Sequence, residues 1–308
     1  MHRTFNVSVP ATSTNSLIAQ LEVMPTVIGL GVVRGKSIKP VGDELTLTVL
    51  NLGADEVVSC IAKTCHGLDY SIATSELDSL IDPMNHAIIG EDHDEAIWEE
   101  METGLRHSGK VTQNYMALMS IGGMLATVGL VSDPAHQAVS FVAAAVLAPG
   151  FDPLAKVALG TLHRNSKLVW SSFSSFVWGY LALIVTAGLS FWLLLLSGAV
   201  TVADFTGNPE VESLSEPKLK HFMLSLGGAL AGGIIVASYR QSFIAGALMA
   251  MAIIHAAAMI GMSIVIGDWQ LAWQGTERLG LDCLFIIGGC LTVFVVKQLT
   301  VHHRKPVV

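Results

Sequence analysis

The feature that most constrains the fold is the run from Leu168 to Ala199, which contains no charged residue. A helix that crosses the hydrocarbon core of a bilayer needs about 20 consecutive apolar residues. Apolar segments long enough for this purpose recur after residue 110, over 112–131, 135–162, 168–199, 222–238, 241–267 and 269–299. We therefore expect an α-helical polytopic membrane protein with six transmembrane helices.

Composition excludes an ordinary soluble enzyme. Of the 308 residues 52% are hydrophobic and only 14% are charged, against about 25% charged residues in soluble domains. The net charge of −8 provides no basic surface, so we expect no nucleic-acid partner. The expected partner of the apolar half is the lipid bilayer.

The charges between the apolar segments predict the orientation in the membrane. Basic side chains fall on one side, at His163, Arg164, Lys167, Arg240, Lys297, Arg304 and Lys305. Asp133, the acidic loop 204–216 and Asp268 fall on the other side. The positive-inside rule then predicts that both termini are cytoplasmic. Because MHRTFNVSVP lacks the apolar core of a signal peptide, we expect the first domain to stay in the cytoplasm.

Residues 1–85 read as a small α+β domain. Strand patterns cover 4–9, 26–33, 45–51 and 69–74, and helix patterns cover 13–24 and 53–65. The order βαββαβ predicts a ferredoxin-like split βαβ fold. Since this fold hosts many functions, ligand sensing and simple dimerisation both stay open.

An amphipathic linker helix is expected over residues 86–110, and a basic cytoplasmic tail over 301–308. The linker contains side chains that bind divalent cations, at His86, Asp92, His93, Asp94 and Glu95. An acidic run on a helix is also typical of a solvated face, and we predict no metal site. Between linker and tail, residues 111–300 form the transmembrane domain.

The second apolar segment is interrupted by AAAVLAPGFDPLA, residues 143–155. Irregular backbone at membrane depth is tolerated where it is buried in protein or lines a cavity, so we predict a broken helix and a binding site here. The candidate residues are Pro149, Gly150, Asp152, Pro153 and Lys156. Asp152 has a second interpretation, as the N-cap of the following half-helix with Pro153 at its first position. Its spacing from Lys156 would also allow an ion pair.

The six segments predict a 3+3 inverted repeat, a plan that places binding sites near the bilayer midplane. His255 lies halfway through the fifth segment, and Asp282 lies at a similar depth in the sixth. We expect Asp152, His255 and Asp282 to share one depth and to bind a substrate or ion. Two structural alternatives stay open: His255 can be a hydrogen-bonded core residue, and Glu277 or Asp282 can pair with Arg278.

Catalytic and metal motifs are absent from the sequence. Cys60, Cys65, Cys283 and Cys290 have no zinc spacing, and we expect packed thiols. No HExxH, GxSxG or phosphate loop occurs. We therefore expect no enzyme and no cofactor.

The broken segment resembles a known family. AAAVLAPGFDPLA is similar to the pattern near GAMLIAPLMGPIL in the bacterial membrane proteins called domain of unknown function 389, and Gly267-Asp268-Trp269 resembles their GDW. Asp152 stands where that pattern has glycine, and Ile254 to Ala258 replaces its VPPLA. The resemblance implies a bacterial inner-membrane location and supports the fold more than a function.

Two functional hypotheses follow from these patterns. The first is a transporter or channel-like permease for a small, charged solute or ion, with proton coupling as one option and a site at the broken helix. The alternative is a membrane-anchored sensor or scaffold that acts through its ferredoxin-like domain. Small residues such as Gly228 and Gly232 allow close helix packing and favour a homo-oligomer.

Overall fold

The computed structural model describes residues 2–92, 95–238, 243–302, 304 and 306, without the side chains of 108 and 243–252. It divides the chain into two compact units. Unit 1 consists of Met1–Glu99 and Val301–Val308, and unit 2 of Glu100–Thr300. Two residues considered for a cation, His93 and Asp94, and two basic residues of the orientation prediction, Arg240 and Lys305, lie outside the described residues.

Unit 1 begins with the predicted βαββαβ order. Its elements are β1 (His2–Val9), α1 (Ala11–Leu21), β2 (Val27–Ile38), β3 (Val41–Val49), α2 (Asn51–Thr64) and β4 (Ser71–Leu77). The strands form an antiparallel sheet in the order β2-β3-β1-β4. This connectivity is that of a split βαβ unit.

Alternation along the central strands explains why the sheet has one covered face. In β1, Phe5, Val7 and Val9 are fully buried, whereas Asn6 between them is exposed. Phe5 lies opposite Leu47 of β3, and both belong to the core that the sheet shares with the two helices. Successive side chains of a strand point to opposite faces, so the other face carries the polar set.

Residues 86–108 form two helices rather than the single linker helix expected from the sequence. α3 spans His86–Gly90 and α4 spans Trp98–Ser108. Between them, the carboxylate of Asp92 accepts hydrogen bonds from the backbone N–H groups of Asn51 (2.9 Å) and Leu52 (3.2 Å). These contacts hold Asp92 at the start of α2, and residues 91–92 and 95–97 between the two helices are not helical.

The C-terminal tail packs within unit 1. Arg304 pairs with Glu99 through both terminal nitrogens at 2.7 Å and with Asp55 through Nε at 2.7 Å. His302 is buried, contacts Asp55 through Nδ1 and packs on Trp98 with ring centroids 4.6 Å apart and ring planes tilted by 51°. His302 and Arg304 are therefore packed parts of unit 1.

Unit 2 contains a helix or helix pair for each predicted apolar segment. The helices are α5 (Gln113–Leu130), α6 (Pro134–Leu147), α7 (Asp152–Leu162), α8 (Ser166–Leu196), α9 (Val202–Thr206), α10 (Pro209–Ser215), α11 (Leu219–Ala237), α12 (Phe243–Ile266) and α13 (Trp269–Thr300). The second segment is broken, because α6 and α7 meet at an angle of 44°. The short helices α9 and α10 lie in the acidic loop.

Within the described part of the chain, three helices are long and apolar enough to cross a membrane: α8, α11 and α13. The bent pair α6 and α7 makes a fourth if it counts as one span. Three to four such helices indicate a membrane protein.

Polar contacts show that α5 and α8 run parallel. Tyr115 Oη donates to the carbonyl of Ser175 (2.9 Å), and twelve residues further along each helix Thr127 Oγ1 donates to that of Ala187 (3.1 Å). Between these contacts Gly123 packs against the carbonyl of Leu183. Partner numbers that rise together along both helices require the same direction.

The helices α11 and α13 form a second parallel pair. Ser225 contacts Asp282, Gly289 packs on Ala229, and Gly233 packs on Val293. Here too the partner numbers rise together along both helices. The bundle thus contains two parallel pairs, one in each half of the unit.

Candidate functional site

The break between α6 and α7 is buried and held by a tyrosine. Tyr180, in the middle of α8, donates a hydrogen bond from Oη to the carbonyl of Gly150 (3.3 Å). A Cβ on Gly150 would lie 2.6 Å from that hydroxyl oxygen, so a larger residue would displace the tyrosine from this contact. Pro149 and Pro153 have no N–H to donate. The irregular backbone is therefore stabilised inside the protein, as a break in a membrane helix requires.

Asp152 is the first residue of α7, and the N-cap position is taken by Phe151. The interpretation of Asp152 as the N-cap residue is therefore wrong. Its carboxylate still lies in the first helical turn with Pro153, where the helix dipole favours negative charge.

Lys156 follows one turn later and is 2% exposed. The charged groups that act on it are Arg106, Glu102 and Lys110 at the end of α4. A Cβ on Gly109 in the same segment would lie 3.4 Å from the nitrogen of Pro153. The start of α7 therefore faces the segment that leads into α5.

A cavity of about 560 Å³ lies between α6, α10, α11, α12 and α13. Its volume is typical of a small-molecule site. The apolar wall includes Phe141, Val142, Leu224, Ile253 and Ile286, and the polar wall includes Glu210, Ser213, His221, Ser225, His255, Arg278 and Asp282. We call this space the α6–α13 cavity.

A buried charged cluster forms the polar wall of the cavity. Arg278 Nε lies 2.9 Å from Asp282 Oδ2, one helical turn apart on α13. Ser225 Oγ donates to Asp282 Oδ1 (2.7 Å) and accepts from Arg278 Nη2 (2.9 Å). Arg278 and Asp282 are 4% and 2% exposed. Of the two alternatives in the sequence, Asp282 is the partner of Arg278.

One edge of this cluster has unused hydrogen-bonding capacity. Arg278 Nη1 is buried and has no hydrogen-bond partner among the described residues. The guanidinium carbon lies 5.7 Å from the centroid of the Phe222 ring. Because a guanidinium carries five N–H donors, the Nη1 edge is available to a further acceptor.

His255 lies on another wall of the same cavity. It is 2% exposed, and its ring is centred 3.4 Å from that of Phe141. Its Nε2 has no hydrogen-bond partner within the described part of the chain. The interpretation as a hydrogen-bonded core histidine therefore does not account for Nε2.

The structure thus brings His255 and Asp282 to one cavity but not the residues of the break. Pro149, Gly150, Asp152, Pro153 and Lys156 are absent from the lining of the α6–α13 cavity. Ile253 connects the two places, since it lines the cavity and its Cδ1 would be 3.6 Å from a Cβ on Gly150.

The cavity also has polar residues on α10 and α11 that sequence reasoning did not select. The backbone N–H of Lys218 donates to His221 Nδ1 (3.1 Å), and His221 Nε2 lies 3.2 Å from Ser213 Oγ. Glu210, from the acidic loop, is half-buried there; burial raises the pKa of its carboxyl despite the opposing charge of Arg278. The apolar residues Val211 and Leu214 on α10 were the only sequence signal that this loop packs inward.

No cluster of three or more histidine, cysteine or acidic side chains suited to a metal ion is found among the described residues. Cys60, Cys65, Cys283 and Cys290 are buried free thiols. Asp92, one of the acidic residues considered for a cation, is engaged at the start of α2 instead.

Comparison with known families bears on the region that contains the break and most of the cavity. Residues 145–288 match the family described as "Domain of unknown function (DUF389)". This part of the chain belongs to the DUF389 family. The resemblance inferred from AAAVLAPGFDPLA is confirmed over the matched residues, and the DUF389 region includes Gly150, Ser225, His255, Arg278 and Asp282. No match was found among curated proteins or among solved structures.

Proposed function

We propose that this protein is a membrane transporter or channel-like permease for a small, charged solute, and that the α6–α13 cavity is its binding site. The observation that carries this proposal is the Arg278–Asp282–Ser225 cluster, which lines a cavity inside a bundle of apolar helices. Charged residues at membrane depth are costly and normally mark substrate or ion pathways. An ion pair needed only for packing does not require a cavity beside it.

The arrangement of the helices supports a 3+3 inverted repeat. In the first half, the first and third segments are the parallel pair α5 and α8. In the second half, the equivalent segments are the parallel pair α11 and α13. The middle segments of the two halves meet near Gly150 and Ile253. Inverted-repeat transporters place their binding sites at such an interface.

An even number of membrane spans is supported by the fact that unit 1 contains residues from both before and after unit 2. Residues on both sides of unit 2 belong to this one compact unit, Met1–Glu99 and Val301–Val308. The chain therefore crosses the membrane an even number of times between them. With α5 and α12 counted as spans this number is six, and the termini share the cytoplasmic side predicted by the charged loops. The proposed location is a bacterial inner membrane, and the proposed assembly is a homo-oligomer.

The coupling ion in this proposal is a proton, and the candidate carrier is His255. His255 and Asp282 both line the cavity, and His255 Nε2 has no hydrogen-bond partner among the described residues. Histidine changes its charge near neutral pH when water reaches it. Asp152 and Lys156 lie in the first turns of α7, outside this cavity.

Transport assays in proteoliposomes test the proposal. Proton flux is followed with entrapped pyranine, and solute flux with radiolabelled benzenesulfonate and phenyltrimethylammonium, which keep their charge at all working pH values. We expect uptake of one of these ions by the wild type. Uptake should fall to the level of protein-free liposomes in Arg278→Gln/Asp282→Asn, and proton coupling should be lost in His255→Ala.

Glu277→Gln is the matched control, because Glu277 lies beside Arg278 on α13 but bonds to Trp273 Nε1 (2.7 Å) at the surface. It should transport like the wild type. Asp152→Asn, outside the cavity, tests separately whether the start of α7 contributes to flux. Wild-type flux no higher than that of empty liposomes, or equal flux in the double variant, would contradict a transport site in the cavity.

A further inference from the structure

We infer that the α6–α13 cavity binds an amphiphilic organic monoanion, with its carboxylate on Arg278 and its apolar body against the wall formed by Phe141, Val142 and Ile286. This inference names the solute class of the proposed transporter and thus rests on that proposal.

The hydrogen-bonding capacity of Arg278 is only partly used within the charged cluster. Asp282 Oδ1 accepts from Ser225, and Asp282 Oδ2 lies 2.9 Å from Arg278 Nε as an ion pair, without hydrogen-bond geometry. Arg278 Nη2 donates to Ser225, whereas Nη1 is buried and has no hydrogen-bond partner among the described residues. A ligand that offers an acceptor to Nη1 completes the cluster, whereas a cation at Asp282 Oδ2 would lie beside the positively charged guanidinium and be repelled by it.

The ligand's charge follows from the strength of the bond that Arg278 can make. A hydrogen bond between a guanidinium and a carboxylate is stronger than one to a neutral carbonyl. Asp282 holds the guanidinium in place, which leaves less rotational freedom to be lost on binding. An anion is therefore preferred over a neutral molecule of the same shape.

The remaining wall is apolar and open at the side. Val142 of α6 and Leu224 of α11 both line the cavity and are 46% and 74% exposed. The mouth therefore lies between two helices with apolar surfaces, one of which continues outward at Val139. An amphiphile can place its head at Arg278 while its apolar part passes along these side chains, whereas a small inorganic ion would leave this wall unused.

Calorimetric titration of the full-length protein in an uncharged detergent tests the inference with three aromatic probes of similar size. These are phenylacetate, phenylacetamide and 2-phenylethylammonium. We expect phenylacetate to bind about tenfold or more tightly than phenylacetamide, because only the anion forms a charge-assisted bond. The ammonium ion should bind no better than the amide.

The variant Arg278→Gln/Asp282→Asn should lose the preference for the anion, and it leaves no unpaired buried charge that would prevent folding. A second pair of variants avoids the cluster altogether. Ala138→Phe fills the cavity from an exposed position and should weaken all three probes, whereas Val185→Phe, at an exposed position of α8 that does not line the cavity, should leave binding unchanged.

Equal affinity for the three probes, no binding of any of them, tighter binding of the ammonium ion, or a preference that survives in the double variant would overturn the inference. Binding of phenylacetate without any flux in liposomes would contradict the transport proposal and leave the ligand class standing. Flux of phenyltrimethylammonium alone would support the transport proposal and contradict the preference for an anion.

Discussion

At the scale of single residues, the start of α2 is stabilised by a side chain that lies far away in the sequence. The N-cap position of α2 is Leu50, whose side chain makes no capping hydrogen bond. Asp92 supplies the missing acceptor from forty residues away and also contacts His2 Nδ1 at 2.9 Å. A helix N-terminus has unsatisfied N–H groups that need such an acceptor. The acidic run of the linker is therefore partly structural.

Replacing Asp92 with alanine should destabilise unit 1 by about 1–2 kcal/mol, the usual cost of losing a helix cap. Amide hydrogen exchange of the full-length protein checks this, with faster exchange expected at Asn51 and Leu52. Asp69→Ala removes an exposed carboxylate and should leave both rates unchanged. Equal rates in the two variants would show that Asp92 does not cap α2.

At the scale of helices, glycine positions decide how closely the backbones approach. A Cβ on Gly261 of α12 would lie 2.1 Å from the carbonyl oxygen of Ile184 on α8. Contacts of this kind let α8 and α12 pack at backbone distance, as small residues do in membranes. Gly280 of α13 has no atom within 4 Å of such a Cβ. Both glycines lie within long helices, but of the two only Gly261 lies where an added Cβ would collide with a neighbouring helix.

Gly261→Ala should therefore destabilise unit 2 by about 1–3 kcal/mol through forced separation of α8 and α12. Gly280→Ala should be neutral or stabilising by up to about 1 kcal/mol, since alanine is the better helix former. Thermal unfolding of the two variants in the same detergent compares them directly. A lower melting temperature for Gly280→Ala than for Gly261→Ala would contradict the close approach.

At the scale of the whole molecule, the C-terminal tail makes unit 1 a structure built from both ends of the chain. Asp55 is central to it, because it contacts both His302 and Arg304. Burial of Asp55 disfavours its charged form, but the hydrogen bond from His302 and the charge of Arg304 outweigh this effect and lower its pKa below 3.8. The tail thus stabilises the ionised carboxylate.

A carboxyl whose pKa is lowered by folding contributes stability above its unfolded pKa and loses it as the pH falls through the folded value. Unit 1 should therefore become less stable as the pH falls below about 4, and Asp55→Asn should reduce this dependence. Hydrogen exchange of α2 at several pH values, corrected for the intrinsic rate, measures the slope. Asp133→Asn is the control, since Asp133 lies in unit 2; a slope that Asp55→Asn leaves unchanged would contradict the role of the tail.

Much of the fold could be predicted because it depends on local patterns. Alternation along β1 and β3 is enough to identify a half-buried sheet, and apolar runs such as 168–199 are enough to identify α8. The break at residues 148–151 was visible because proline and glycine act on their own backbone. These signals concern hydrophobic periodicity and backbone conformation, which a short stretch of chain specifies by itself.

The site was predicted only in part, for a physical reason. His255 and Asp282 stand out because ionisable residues are costly in an apolar helix, but their neighbours do not. Ser225 is an ordinary serine in the sequence and becomes a link between Arg278 and Asp282 only when α11 packs in parallel on α13. In the same way, Tyr180 finds the carbonyl of Gly150, and Asp92 finds α2, through contacts between distant segments. The sequence alone determined which segments are helices and strands and where the apolar bundle is interrupted, whereas the tertiary structure decided which polar atoms meet, because hydrogen bonds between distant residues depend on how the helices pack.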